Sequence, residues 1–246
     1  MKKYCTFLLV VVVALTSCAS AKYTKKVPTK SFVQVIRNLS TEICPQQNKC
    51  KIVKSSAVGS GVVFLSSKKE NKSYILTASH VCFEKPSQEN IDKINSYTFE
   101  IYVRNHENKI KEARVALINP NIPKEPDLCV LEVENLFLPR VAVAMKKPRI
   151  GETVYSMSAP GGVYHPPVVP IFSGIYSGEI PTELGNERFP SSTLVTIPSI
   201  GGSSGSAVLN KDMEIVGVIF ASAMVMKNIS LITKYKDTVN FIKLFK

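Results

Sequence analysis

Most of this chain alternates short apolar runs with polar breaks. Val58 to Phe64 (VGSGVVF), Tyr74 to Val81 (YILTASHV), Thr98 to Val103, Ala113 to Ile118, Leu128 to Val133, Ser192 to Ile197, Ala207 to Leu209 and Gly217 to Ser222 are rich in Val, Ile, Thr, Tyr and Phe. Runs of that length, bounded by Gly, Pro, Asn and Ser, predict strands. Charged or proline-rich stretches between them predict turns and loops: Ser66 to Ser73, Asn105 to Lys111, Tyr164 to Pro170 and Pro181 to Pro190. Tyr164 to Pro170 (YHPPVVP) cannot be a central strand, since proline lacks the N–H that a ladder needs. Phe83 to Asn95 is polar and predicts a surface insertion, with a helical turn around Ile91 to Ile94. In the last stretch, Thr233 to Lys246, the period changes: Val239, Ile242 and Phe245, with Phe241, fall at helical spacing with charges between them. That predicts a C-terminal helix. The pattern as a whole is mostly β.

The N-terminus follows other rules. Lys2 and Lys3 precede an apolar run from Phe7 to Leu15, too short to span a bilayer, which predicts a secretory signal over residues 1–17. Leu15-Thr16-Ser17-Cys18 resembles the lipobox of bacterial lipoproteins, which implies lipidation of Cys18 and a place in the cell envelope. Ala19-Ser20-Ala21 offers a competing cut that would leave a secreted protein. Residues 18–31 are polar and basic and predict a flexible tether.

The chemistry gathers at three places. Gly201-Gly202-Ser203-Ser204-Gly205-Ser206 forms a tight loop between two strand-like runs. A serine hydroxyl there becomes a useful nucleophile only with a base to take its proton and backbone N–H groups to meet an oxyanion. Upstream, the Tyr74 run ends in small residues and His80, and Asp127 opens the run to Val133. In this order (His80, Asp127, Ser204) and with these flanks, the chain resembles the chymotrypsin-fold serine peptidases, whose motifs read T-A-x-H, D-[LI]-A-[LV]-L and G-[DN]-S-G-G. Val58 to Phe64, Pro148 to Gly162 and Ser173 to Ile180 (SGIYSGEI) extend the resemblance to bacterial trypsin-like peptidase domains over about four-fifths of the chain.

The resemblance implies an all-β fold of two six-stranded antiparallel β-barrels, with the active site in the cleft between them and a C-terminal α-helix. On that frame the peptidase body is 32–246: a first barrel over about 52–134, a second over about 148–232, and a helix over about 233–246 packed on the second barrel. The crossing lies near Glu134 to Lys147. By resemblance Ser204 is the nucleophile, His80 the general base, Asp127 its orienter, and the backbone N–H groups of Gly202 and Ser204 the oxyanion hole. The residue six before the nucleophile, Pro198, falls at the base of the primary pocket, and Phe220, Ala221 and Ser222 form its wall. Without a charge there, cleavage after small or medium aliphatic side chains is expected. Two departures stand out. Ser203 replaces the usual Asp or Asn, so no zymogen switch through a new N-terminus is expected. Ser206 replaces Gly and places a hydroxymethyl group near the loop.

Six cysteines are present; removing Cys5 with the signal and Cys18 with the lipid leaves Cys44, Cys50, Cys82 and Cys129. Four cysteines allow three pairings. Cys44 and Cys50 close a short loop containing a proline. Cys82 lies two residues after His80 and Cys129 two residues after Asp127, so the approach of base and orienter brings these thiols together. The expected bridges are Cys44–Cys50 and Cys82–Cys129. Relatives often carry a cysteine directly after the histidine, where this chain has Val81, so the second pairing comes from spacing.

Composition adds limits. With 45% hydrophobic and 20% charged residues in 246, the chain is an ordinary globular protein. Its net charge of +12, about +10 without Lys2 and Lys3, suits anionic envelope surfaces. No basic stripe interleaved with aromatics predicts nucleic-acid binding. No H-E-x-x-H or paired C-x-x-C predicts a metal site, and no cofactor is expected. His106 lies in a charged turn, which predicts a solvated ring, and His165 lies in the proline-rich loop. The expected partners are protein or peptide substrates and, through Cys18, a membrane. The rival to an exported serine endopeptidase is an inactive barrel that binds peptides or envelope components.

Overall fold

The computed structural model describes residues 25–46, 49–83, 94–119, 126–181, 183–184, 187–188, 191–223 and 228–245. The expected signal and Cys18 lie outside them, as do 84–93 of the expected insertion. Among the described residues, no helix is long and apolar enough to cross a membrane.

The strands are β1 Phe32–Gln46, β2 Lys49–Ser67, β3 Lys72–Thr77, β4 Ile94–Arg104, β5 Ile110–Ile118 and β6 Cys129–Val133, then β7 Thr153–Met157, β8 Ile171–Ile180, β9 Glu183–Leu184, β10 Glu187–Arg188, β11 Ser192–Val195, β12 Ala207–Leu209, β13 Ile215–Ser222 and β14 Ser230–Thr233. A four-residue helix, α1 (Ser79–Cys82), follows β3, and α2 (Tyr235–Phe245) ends the described chain. The first barrel closes in the order β1-β2-β3-β6-β5-β4 and the second in the order β11-β14-β13-β12-β7-β8, with every pairing antiparallel. The expected two-barrel fold is the observed one.

Strand alternation also joins the barrels. Successive side chains of a strand point to opposite faces. In β12, Ala207 and Leu209 therefore pack with the core of the first barrel, while Val208 packs inside the second. The neighbouring β13 also serves both sides, Ile215 and Val218 to one and Val216 and Ile219 to the other, because a register shift opposite Val208 and Leu209 interrupts its alternation.

Several boundaries differ from the sequence expectation. The first barrel starts at β1, upstream of residue 52, because Phe32, Val33 and Val35 are buried in its core. Ile94 belongs to β4 and not to a helical turn. The Pro181 to Pro190 loop contains the two-residue strands β9 and β10. The tip of α2 reaches the first barrel: the Phe245 ring lies 5.8 Å from Phe64 and 5.0 Å from Tyr74, measured between centroids. These aromatic partners on β2 and β3 were invisible from the helix's own spacing. His106 is largely enclosed, with Nδ1 buried and unpartnered among the described residues, which corrects the solvated reading.

Both expected disulfides are present. Cys44–Cys50 ties the far ends of β1 and β2, and Cys82–Cys129 ties α1 to β6 with Cα atoms 6.6 Å apart.

Candidate active site

β3 delivers its last residues to α1, and α1 carries His80 at the barrel rim. The Asp127 carboxylate holds this histidine twice. Oδ2 lies 2.6 Å from the ring Nδ1, and Oδ1 accepts the His80 backbone N–H at 3.1 Å. Asp127 is 7% exposed, whereas the His80 side chain is 40% exposed and so open to the cleft.

Two residues absent from the sequence reading complete this half. Arg37, buried on β1, donates from Nη1 to the His80 carbonyl at 2.8 Å. The backbone of His80 is thus held on both sides, at its N–H by Asp127 and at its C=O by Arg37. Asn119, just after β5, donates from Nδ2 to the Pro126 carbonyl at 2.9 Å and accepts the Ser79 hydroxyl on its own carbonyl at 2.7 Å. It fastens the Asp127 segment beside α1. A charged residue directly after Val35 and Ile36 was the one available signal for Arg37, and nothing in sequence marked its partner.

The serine loop is held differently. Gly202 adopts φ +92°, and a Cβ there would lie 2.3 Å from the Ala159 carbonyl oxygen. Gly205 adopts φ +86°, and a Cβ there would lie 2.1 Å from both the Ser60 carbonyl and Thr77 Oγ1. Only glycine fits either place. Ser60 of β2 ties this loop to the first barrel: its N–H donates to the Ser204 carbonyl at 2.8 Å and its hydroxyl to the Gly202 carbonyl at 2.9 Å. The same hydroxyl accepts the Ala159 N–H at 2.9 Å. Ser60 was also missed: it lies in the predicted strand Val58 to Phe64, where nothing local marks it as the partner of a loop 142 residues away.

Ser204 is partly exposed, while Ser203 and Ser206 are buried. Gly59, next to Ser60, sits between Val81 of α1 and the Ser204 carbonyl, so the loop adjoins the His80 helix. Among the described residues the Ser204 hydroxyl makes no hydrogen bond. His80 and Asp127 are therefore joined, and Ser204 stands beside them. The amides of Gly202 and Ser204 have no acceptor among the described residues, whereas those of Ser203, Gly205 and Ser206 donate to Ile200, Ile219 and Ser203 carbonyls. Two neighbouring N–H groups are thus free to bind an oxygen. Ser206 is wholly enclosed, with its hydroxyl unpartnered among the described residues, so it does not project into the cleft.

Of the expected pocket residues, Phe220 and Ala221 are half-buried and Pro198 and Ser222 are exposed. The buried residue at this spot is Ser199, whose hydroxyl lies 2.6 Å from that of Ser230. Ser230 in turn donates to the Ile197 carbonyl at 2.6 Å. His165 is exposed in the proline-rich loop. Among the described residues Glu42, Cys44 and Cys50 lie together in the manner of metal ligands, but the two cysteines form a disulfide and so lack free thiolates.

The fold has many solved counterparts. The Rv3671c protease of M. tuberculosis, in an inactive form, aligns at a TM-score of 0.60 and 16% identity, over 89% of this chain and 87% of that one. Its active form aligns at 0.60 and 16%, over 88% and 81%. The HtrA-type protease AlgW, with a decapeptide, aligns at 0.64 and 17%, over 88% of this chain and 63% of that one. At these identities the likeness is one of fold. Among curated proteins no sequence matches. The trypsin-like peptidase domain family matches residues 59–218, from the strand beside Ser204 through most of the second barrel, and the chain belongs to that family.

Proposed function

We propose that this protein is an exported serine endopeptidase working through Ser204, His80 and Asp127 and an acyl-enzyme intermediate. The observation that carries the reading is the doubly held His80 beside a serine loop whose Gly202 and Ser204 amides are free. With Nδ1–H donating to Asp127, Nε2 is the atom left to take a proton. Ser204 Oγ attacks the scissile carbonyl as its proton passes to Nε2. The carbonyl oxygen, now negative, is received by the two amides. Collapse expels the amine, which takes the proton from His80 and leaves an ester on Ser204. Water, deprotonated by the same nitrogen, then hydrolyses the ester and restores the serine. Asp127 stabilises the imidazolium at both stages. Among the described residues no hydrogen bond joins Ser204 to His80, and a contact of this kind often tightens only when substrate binds.

The absence of charge at Pro198, Ser199, Phe220, Ala221 and Ser222 favours uncharged side chains before the cut. Two disulfides fit an oxidising compartment and support export. The N-terminal pattern supports attachment through Cys18 or, with a cut after Ala21, release. The unjoined Ser204 hydroxyl favours one rival, an inactive barrel that binds peptides. A fluorophosphonate probe separates the two: labelling that disappears in Ser204→Ala is expected, and well-folded wild-type protein that takes no label would overturn the enzyme reading.

A further inference from the structure

The ribbon formed by β1, β2 and β4 runs well past the closed barrel. β2 pairs with β1 from Lys49 to Val62 but with β3 only from Val62 onward. Below Val62 its second edge has no strand beside it among the described residues. Every residue from Cys50 to Val58 is exposed.

The direction of the backbone groups along this edge follows from Ser60. Its N–H goes to the Ser204 carbonyl and its C=O receives the Thr77 hydroxyl, so both point away from β1. Ladder groups of an antiparallel strand alternate between its two sides. The register to β1 is unbroken from Val62 to Lys51, so Val58, Ser56, Lys54 and Ile52 present N–H and C=O outward, while Ala57, Ser55 and Val53 bond to β1. The first hydrogen bond on this edge is the one to Ser204. The row is therefore continuous with the candidate site.

We propose that the outer edge of β2, from Ile52 to Val58, takes up extended polypeptide as an added strand, and that this is the polypeptide whose backbone reaches Ser204. The proposal rests on the peptidase reading of that serine. Strand addition gives affinity through main-chain bonds and leaves side-chain choice to the flanking residues. Here those are Lys51 and Lys54 with the exposed Ile52 and Val53, which suit acidic and apolar residues in the incoming strand. A second copy fits poorly: pairing two such edges would bring both lysine rows together in a chain of net charge +12. The edge thus selects unfolded, acidic polypeptide that extends several residues from the cut.

Ser56→Pro tests this, because it removes one outward N–H and leaves the bonds to β1 in place. With fluorescein-labelled casein as substrate, kcat/KM should fall about fivefold, the value of one net hydrogen bond. The rate of fluorophosphonate labelling should stay the same. Unchanged casein cleavage, or labelling that falls in step with it, would overturn the proposal. Amide exchange by NMR in Ser204→Ala protein judges the edge without catalysis. Casein should slow exchange at Val58, Ser56, Lys54 and Ile52 but not at Ala57, Ser55 and Val53. No such alternation, or slowing that appears with rising protein concentration alone, would reject the polypeptide occupant. If the wild type takes no fluorophosphonate label, the peptidase reading fails by itself, and exchange still decides the edge.

Discussion

The two barrels hold their parts of the candidate site by different means. The first uses side chains and a covalent bond: Asp127 and Arg37 grip the His80 backbone on both sides, and Cys82–Cys129 closes the segments just beyond. The second uses the main chain, with Gly202 and Gly205 in backbone conformations closed to other residues and bonds running through Ser60. On the proposed peptidase reading the His80 ring shuttles a proton and needs its direction fixed, and charged partners do this at a point. A loop that offers N–H groups needs its peptide planes fixed, and the glycine conformations do that together with the Ser60 hydroxyl on the Gly202 carbonyl. Substitutions should accordingly fail in different ways on the two sides.

The greatest loss is expected in the second barrel. Gly202→Ala forces a Cβ against the Ala159 carbonyl and turns the 202 amide away, so peptidase turnover should fall by about 100-fold or more. Steady-state kinetics with parallel fluorophosphonate labelling check this, and near-normal turnover would remove the oxyanion role of that amide. On the first side, Arg37→Met removes a charge-assisted bond to the His80 carbonyl. An effect of about tenfold on kcat is expected, with KM little changed. Arg37→Lys should recover part of it, which a loss of general stability would not predict.

The disulfides sharpen the contrast within the first barrel. Cys82–Cys129 spans 47 residues and Cys44–Cys50 spans 6, so loop entropy predicts losses of about 4 and about 2 kcal/mol on removal. Chemical denaturation of the Cys→Ala pairs measures both. Opening the first should also lower turnover more than substrate binding, whereas opening the second should leave labelling unchanged.

The smallest effect concerns Tyr164, buried against Phe32 with its hydroxyl unpartnered among the described residues. Burial raises its pKa from 10 to about 12. The folded protein holds this proton more tightly than the unfolded chain, so the group's contribution is complete below pH 10 and is lost as pH rises towards 12. Tyr164→Phe should flatten that part of the alkaline stability curve, by less than about 3 kcal/mol, and leave turnover at neutral pH unchanged. Melts across this range provide the check.

Much of this was legible from local pattern. His80, Asp127 and Ser204 stand in flanks that name a family, because a strand ending in small residues and a glycine-bounded serine are constrained within a few neighbours. The Cys82–Cys129 bridge followed from two equal offsets. The start of the first barrel was not legible: β1 carries Gln34, Arg37 and Asn38 among its apolar residues, and its polar positions make sense only beside their partners.

What the sequence determined by itself is the set of short-range constraints: alternating strands, glycines where no Cβ fits, and the order of His80, Asp127 and Ser204. Tertiary structure decided which polar groups meet. Arg37 finds the His80 carbonyl across 43 residues, and Ser60 finds Gly202 across 142. A hydrogen-bond donor does not encode its acceptor, so such pairs appear only once the barrels close. The open edge of β2 belongs to the same class, because a strand's own residues do not reveal where its neighbour ends.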